Sequence, residues 1–155
     1  GLVEDGVAIL KVGPALTFAL REGLLALSLI EKELLGSDCG AKLSNLMEKL
    51  DAAMLSNPAH WKNYYQGSEA DIALARKYSF SDRCRYYWAV PEVKEAVEIL
   101  MANLSTTPIP ITLISQYLPV QYKRIRAGLV KIEPEALVKD KIKEILEDYE
   151  SAINP

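Results

Sequence analysis

The chain has 155 residues, of which half are hydrophobic and a quarter are charged. This composition can build a packed core, and it excludes disordered, collagen-like and low-complexity proteins. There are 18 Lys and Arg against 21 Asp and Glu, so the formal net charge is -3. We expect no nucleic-acid partner, because non-specific binding to nucleic acid requires many Lys and Arg that neutralise phosphates.

The apolar and cysteine content indicates where the protein resides. The longest apolar stretch, residues 13–30, is interrupted by Arg21 and Glu22, which a bilayer interior strongly disfavours. We therefore expect a core helix and no membrane partner. The two cysteines, Cys39 and Cys84, lack the spacing of a disulfide framework or a thiolate zinc site. With no secretory signal pattern before the first helix, we expect a cytoplasmic protein.

The first predicted elements are a strand and a helix. Residues 7–12 form a short apolar run rich in β-branched side chains, which predicts a buried strand. A helix from about Ala15 to Leu35 follows the Gly13-Pro14 turn, and Gly36 marks its end. Strand, tight turn and long helix form half of a βαβ unit. The helix carries apolar side chains at helical spacing: Leu16, Leu20, Leu24, Leu27 and Ile30.

A buried strand needs neighbours, because its backbone amides and carbonyls must be paired, yet no other segment reads as a strand. We therefore expect a mainly α chain that is the C-terminal part of a longer protein with an α/β sheet or barrel. Residues 1–36 would be the final strand and helix, and residues 37–155 a helical extension. The alternative is a self-contained domain whose strand is exchanged between copies, which predicts a homo-oligomer.

Three further amphipathic helices are predicted in the extension. The second follows Pro91 and the third runs from about Pro134 to Ser151. Segments 78–88 and 108–119 are predicted as short helices joined by turns. Residues 115–119 are predicted as a turn before a helix that begins near Val120. The side chains expected inward are Leu43, Leu46, Met47, Leu50 and Met54, then Val93, Val97, Leu100, Met101 and Leu104, then Leu137, Val138, Ile142, Ile145, Leu146 and Tyr149. Those expected outward on the third helix are Lys139, Asp140, Lys143, Glu144 and Glu147.

The junction between the predicted strand and the first helix is a candidate phosphate site. Free backbone amides in the first turn of a helix, together with the positive end of its dipole, can bind a phosphate. A glycine there permits close approach of the backbone. The alternative interpretation is a plain tight turn with Pro14 at the helix start. The candidate phosphate-binding residues are Lys11, Gly13, Ala15, Leu16 and Thr17.

The densest basic and aromatic cluster lies at residues 83–88, close to Arg76 and Lys77. Arginine suits the binding of phosphate or carboxylate, and arginine mixed with aromatic residues is typical of interface hot spots. The cluster is therefore a candidate anion site or subunit interface. Alternatively, Ser81 caps a short helix, Asp82 pairs with an arginine, and the rings fill the core. The candidate residues are Arg83, Arg85, Tyr86, Tyr87 and Trp88.

The sequence contains no complete catalytic constellation. His60, the single histidine, has no cysteine or acidic residue near it in sequence and is predicted to be a surface or capping residue. The sequence contains no nucleophile elbow, Walker loop, dinucleotide-binding fingerprint or HExxH motif. We expect no catalytic residue, metal or cofactor in this chain.

Four separated segments carry a resemblance to a known family: residues 8–22, 78–83, 85–88 and 115–122. In this order they resemble C-terminal blocks of the Z-type subunit of class II tagatose-bisphosphate aldolase, the GatZ/KbaZ family. Cys84 departs from the family pattern, in which an aliphatic residue is expected. The resemblance covers the whole chain but only the C-terminal part of a family member. Family members also carry the label tagatose-6-phosphate kinase, which no nucleotide-binding motif in this sequence supports.

The resemblance implies a TIM (β/α)8 barrel that ends with residues 1–36. It implies a non-catalytic accessory subunit that supports the activity and stability of a catalytic class II aldolase subunit, a lyase of galactitol, tagatose or N-acetylgalactosamine breakdown. Zinc is expected only in that partner or in the barrel portion outside this sequence. Residues 11–17 resemble the final βα loop, which in related aldolases helps to hold a substrate phosphate. The alternative hypothesis is that the intact protein is itself an aldolase-like enzyme that binds a sugar phosphate.

Overall fold

The computed structural model describes residues 14–153, without the side chains of Tyr149 and Ile153. The strand predicted at residues 7–12 lies outside the described residues, as do Lys11 and Gly13. Residues 14–153 are mainly helical and include no strand. The α-helices are α1 (Pro14–Leu35), α2 (Leu46–Ser56), α3 (Glu69–Tyr78), α4 (Pro91–Thr106), α5 (Ile111–Tyr117), α6 (Pro119–Arg126) and α7 (Pro134–Ile153), and short 3₁₀ helices span Pro58–His60 and Arg83–Tyr87.

Helix α1 lies at the centre of the fold and confirms the helix predicted over residues 15–35. Its apolar side chains occupy more than one face, so α1 packs against α4, α5 and α7 at once. Gly23 faces α7, and the Cα of Val138 lies 3.6 Å from the position that a Cβ of residue 23 would occupy, which is an ordinary contact distance. None of the helices in residues 14–153 is long and apolar enough to span a bilayer. The buried apolar side chains of α1 are Ala19, Leu20, Leu24, Leu25, Leu27 and Ile30.

Helices α2 and α4 pack against each other and against α1, so the three helices share one hydrophobic core. The helix predicted to follow Pro91 is confirmed, and it begins at Pro91 itself. Leu43 is not part of α2, because the helix begins only after Asn45, whose backbone is left-handed with φ of 51°. The fully buried side chains of this layer are Leu46, Leu50 and Met54 in α2 and Val93, Leu100 and Leu104 in α4.

Helix α3 was not among the predicted elements. Its first turn is closed by a capping box, in which the Ser68 hydroxyl accepts from the Asp71 amide and the Asp71 carboxylate accepts from the Ser68 amide. Only Arg76 of α3 is buried. Ile72 and Ala75 are only partly buried against the core, so the capping box is the main local signal for α3.

The C-terminal helices confirm part of the predicted pattern and correct the rest. Residues 115–117 belong to α5, so the predicted turn there is wrong, and the next helix starts at Pro119. On α7, Asp140 is buried, contrary to its predicted outward position, because it faces Arg124 of α6. Leu146 is exposed because it lies among the last, exposed turns of the helix. Leu137, Val138 and Ile142 are buried as predicted.

Candidate functional site

A buried polar network joins the start of α1 to the segment 78–88, and we call it the Asp82 network. The Asp82 carboxylate accepts hydrogen bonds from Arg21 Nη1 at 3.1 Å, Thr17 Oγ1 at 3.3 Å and Cys84 Sγ at 3.1 Å. Asp82 is 2% exposed and Arg21 is 4% exposed. The ion pair is therefore shielded from water. The predicted pairing of Asp82 with an arginine is confirmed, and the arginine comes from α1.

Burial controls the protonation of the Asp82 network. It raises the pKa of the Asp82 carboxyl above its ordinary value of 3.8, against the lowering effects of Cys84, Arg21 and Thr17. It also raises the pKa of the Cys84 thiol well above 9.0, an effect that the charge of Asp82 reinforces. A thiol held in the neutral form is a poor nucleophile. Cys84 is therefore a packing and hydrogen-bonding residue.

Arg21 also fixes the backbone that follows α3. Its Nη1 donates to the Ser79 carbonyl at 2.9 Å, and its Nη2 donates to the Tyr78 carbonyl at 3.4 Å. Two carbonyls at the end of a helix are thereby satisfied by one buried side chain. Asp82 itself adopts a left-handed backbone with φ of 50°. The segment 78–82 is therefore held in one conformation against the first turns of α1.

The candidate phosphate residues within the described range lie in three different environments. Ala15 is exposed, Leu16 is half-buried and Thr17 is fully buried. The Thr17 hydroxyl donates to the Pro14 carbonyl at 3.0 Å and contacts the Asp82 carboxylate, so it is already committed. Phosphate binding by the amides of this turn stays a prediction.

In the structure, His60 and Tyr64 lie against Arg83 and Tyr86 of the basic and aromatic cluster. The guanidinium carbon of Arg83 lies 3.6 Å from the ring centroid of Tyr64 and 5.1 Å from that of Tyr86. The guanidinium carbon of Arg85 lies 4.7 Å from the Tyr86 ring, and the His60 ring stacks on Tyr86 at 4.6 Å. We call His60, Tyr64, Arg83, Arg85 and Tyr86 the arginine–tyrosine platform. Its rings and guanidinium groups form one continuous stacked surface.

Backbone contacts hold the platform in place. Arg83 Nε donates to the His60 carbonyl at 2.6 Å, and the Arg83 amide donates to the buried Tyr65 hydroxyl at 3.1 Å. Arg85 Nη1 donates to the Ser81 carbonyl at 2.7 Å, and its Nη2 donates to the Tyr86 hydroxyl at 2.9 Å. The arginines are therefore oriented by neutral acceptors, and their positive charges are not neutralised by these contacts.

The remaining residues of the predicted cluster belong to the core. Tyr87 is 1% exposed and its hydroxyl donates to the Asn57 carbonyl, while Trp88 is 5% exposed. Burial raises the pKa of the Tyr87 hydroxyl above 10.0. Trp88 Nε1 has no hydrogen-bond partner among the described residues. For these two side chains the core-filling interpretation is confirmed, and they offer no surface for a ligand or a partner.

Sequence reasoning missed Tyr64 and the involvement of His60 in this surface. His60 is exposed, as predicted, and Tyr64 exposes 61% of its surface. Both residues precede the cluster by about twenty positions, and only tertiary packing brings the two segments together. No group of three or more His, Cys, Asp or Glu within residues 14–153 is arranged to hold a metal ion.

The matches to known proteins extend over almost the whole chain. The profile of a family described as "D-tagatose-1,6-bisphosphate aldolase subunit GatZ/KbaZ-like" matches residues 1–154. The chain belongs to this GatZ/KbaZ-like family. It is 46% identical over 148 residues to the D-tagatose-1,6-bisphosphate aldolase subunit GatZ of Klebsiella pneumoniae, a match that covers 96% of the chain and 34% of the relative. It is 43% identical over 154 residues to the GatZ subunit of Salmonella paratyphi B, covering 99% of the chain and 36% of the relative.

A solved structure of similar fold is described as a "probable tagatose 6 phosphate kinase" from Sinorhizobium meliloti 1021. It is 41% identical, with a TM-score of 0.82, and the match covers 90% of this chain and 35% of that chain. The chain thus spans about a third of the length of the curated relatives it matches. The two descriptions disagree on activity, so they establish the family and leave the reaction to be argued.

Two of the segments that carry the family resemblance build the features described above. Residues 78–83 supply the backbone and carboxylate of the Asp82 network, together with Arg83. Residues 85–88 supply Arg85 and Tyr86 to the platform and two rings to the core. In this GatZ/KbaZ-like chain, one short segment therefore joins buried structure to an accessible basic surface.

Proposed function

We propose that this chain is the C-terminal third of a non-catalytic accessory subunit of D-tagatose-1,6-bisphosphate aldolase. The observation that carries the proposal is the match of residues 1–154 to the GatZ/KbaZ-like family, with curated GatZ subunits 43–46% identical across the chain. In such a protein the chain would support the activity and stability of a catalytic class II subunit in the breakdown of galactitol, tagatose or N-acetylgalactosamine. The setting would be the cytoplasm.

An uncovered apolar side of α1 supports its assignment as the last helix of a TIM barrel, with residues 37–155 as the extension. One side of α1 is left uncovered within the described residues, as a groove of about 360 Å³ whose lining includes Phe18, Leu25 and Leu29. Phe80 stacks on Phe18 at 6.0 Å between ring centroids and is 91% exposed. Exposed apolar surface of this kind marks a region covered by another protein part. About two thirds of the relatives' length lies outside the match, which is enough chain to supply such a part.

The described residues give no support to catalysis by this chain alone. Cys84 is neutral and buried, and Asp82 is committed to Arg21, Thr17 and Cys84. In this proposal, zinc chemistry belongs to the catalytic partner or to the remainder of the barrel. A sugar phosphate at the start of α1 stays part of the proposal, carried by the backbone amides of Ala15, Leu16 and Thr17.

The test is reconstitution of aldol cleavage. The full-length protein and the catalytic class II subunit are purified separately and together, and cleavage of tagatose 1,6-bisphosphate is measured. We expect no turnover by the full-length protein alone, and a higher rate and a longer half-life of the catalytic subunit when both are present. Turnover by the full-length protein without its partner would contradict the accessory role and favour the aldolase-like enzyme.

A further inference from the structure

The arginine–tyrosine platform has the composition and exposure of an unoccupied interface. Tyr64 and Tyr86 expose 61% and 43% of their surface, and Arg83 and Arg85 are half-buried against their rings. Tyrosine and arginine are the residues most enriched at the energetic centres of protein interfaces. Because these side chains are already stacked in place, little conformational freedom would be lost when a partner binds.

The charge of the platform selects the chemistry of that partner. The two segments that build it, residues 57–66 and 83–88, contain Lys62, Arg83, Arg85 and His60 but no Asp or Glu. The whole chain carries a net charge of -3, so these two segments are basic against an acidic background. Opposite charge across an interface directs binding and fixes its register.

Arg83 has unused hydrogen-bonding capacity. Its Nε is committed to the His60 carbonyl, and within residues 14–153 no hydrogen bond engages Nη1 or Nη2. A guanidinium edge with both terminal nitrogens available matches the two oxygens of a carboxylate. The rings of Tyr64 and Tyr86 lie 3.6 and 5.1 Å from its guanidinium carbon and hold the group in place for such a contact.

We propose that the arginine–tyrosine platform docks a carboxylate-bearing segment of the catalytic aldolase subunit, with Arg83 and Arg85 as the charged contacts. This inference rests on the proposed function, because the accessory role supplies the partner. A protein partner fits the geometry better than a small sugar phosphate does. The platform is open to solvent at two tyrosines, whereas small-ligand sites are clefts that enclose most of the ligand.

The test measures the affinity of the full-length protein for the purified catalytic subunit by titration calorimetry. The first variant combines Arg83→Gln and Arg85→Gln, which removes both charges and keeps polar side chains. The second is Tyr64→Ala, which removes the ring that stacks on Arg83. Within residues 14–153 the Tyr64 side chain makes no hydrogen bond, so this variant breaks none there. The control is Arg126→Gln, because Arg126 also donates to a tyrosine hydroxyl, that of Tyr122, and lies over its ring at 5.9 Å.

We expect the double variant to raise Kd about tenfold or more, Tyr64→Ala to raise it severalfold, and Arg126→Gln to leave it unchanged. Raising the salt concentration from about 50 mM to about 300 mM should weaken binding by the wild type more than binding by the double variant. Circular dichroism and melting temperature confirm that each variant is folded.

The outcomes separate this inference from the proposed function. Tight binding by the wild type, with both platform variants equal to the control, would overturn the docking site and leave the accessory role standing. Failure of the wild type to bind would overturn both. A platform variant that lowers the melting temperature of the full-length protein but keeps Kd would show that the platform packs on the protein's own barrel, and would overturn docking. If the double variant lost the wild type's binding of inorganic phosphate but kept its Kd for the subunit, the platform would be assigned to a small anion instead.

Discussion

Arg21, which contacts the segment 78–88, and Arg83, which lies within it, differ in burial and in how their charges are paired. Arg21 is 4% exposed and its charge is paired with the equally buried Asp82. Arg83 is half-buried, and its guanidinium carbon lies 3.6 Å from the centroid of the Tyr64 ring. Its Nε donates to the His60 carbonyl, which is a neutral acceptor. The first arginine has no charge left to offer a ligand, and the second keeps its charge accessible.

The difference shows why the two arginines contribute to different properties of the protein. A buried ion pair that loses one partner leaves an uncompensated charge in a medium of low polarity, which is strongly destabilising. A half-exposed arginine on a tyrosine stabilises the fold only modestly, because water already solvates it. Arg21 should therefore determine stability, whereas Arg83 should determine recognition.

The largest expected effect is that of Arg21→Leu. This variant keeps the apolar stem but leaves the Asp82 carboxylate without its cation and the Ser79 carbonyl without its donor. We expect the free energy of unfolding to fall by about 3–5 kcal/mol. Urea denaturation followed by the fluorescence of Trp61 and Trp88, which are both buried, measures the change.

The matched control for Arg21→Leu is Arg83→Leu, the same substitution on the exposed side. It removes the contacts with Tyr64 and the His60 carbonyl, and we expect it to lower the free energy of unfolding by about 1 kcal/mol or less. Equal losses for the two variants would break the comparison, because they would show that burial does not distinguish the two arginines.

A second, smaller effect distinguishes the adjacent tyrosines. Tyr87→Phe removes a buried hydroxyl that donates to the Asn57 carbonyl, so we expect a loss of about 0.5–1.5 kcal/mol. Tyr86→Phe removes an exposed hydroxyl that accepts from Arg85, and we expect a change within about 0.5 kcal/mol. The same urea titrations measure both changes. A larger loss for Tyr86→Phe would show that the platform, and not the core, holds this segment.

Long apolar helices were predictable from the sequence, whereas the polar helix α3 was not. α1, α4 and α7 repeat apolar residues over several turns, and each predicted start lies within about one residue of the observed one. α3 buries only Arg76, so the only strong signal for it is local, in the capping box of Ser68 and Asp71. On α7 the predicted faces failed at Asp140 because an ion pair with Arg124 of another helix stabilises a buried carboxylate there.

The candidate site was predictable in composition but not in arrangement. Residues 83–88 stood out as arginine and aromatic residues, yet only the 3₁₀ geometry directs Tyr87 and Trp88 into the core and Tyr86 outward. His60 and Tyr64 come from a separate segment, and their stacking depends on tertiary packing. The pairing of Asp82 with Arg21 joins residues 61 positions apart, which no local pattern specifies.

The smallest expected effect is a pH dependence that originates at Asp82. Because burial raises its pKa above 3.8, the folded protein binds a proton at this group where the unfolded chain has released it. The contribution of that proton to stability is fully present below the unfolded pKa and is lost as pH rises through the folded pKa. Asp82→Asn lacks this contribution, and Asn tolerates the left-handed backbone at this position. The stability of the wild type relative to Asp82→Asn should therefore fall as pH rises from about 4 through the mildly acidic range.

Melting temperatures of the wild type and the variant across that range measure this trend. Ile30→Val provides the baseline, because it weakens a fully buried contact of α1 without changing an ionisable side chain. The difference in melting temperature between Ile30→Val and the wild type should stay nearly constant with pH. If the stability of the wild type relative to Asp82→Asn instead rose with pH, the attraction of Arg21 would outweigh the burial of the carboxylate. The Asp82 network would then resemble an ordinary stabilising ion pair, and the contrast between the buried and the exposed arginine would be larger than we infer.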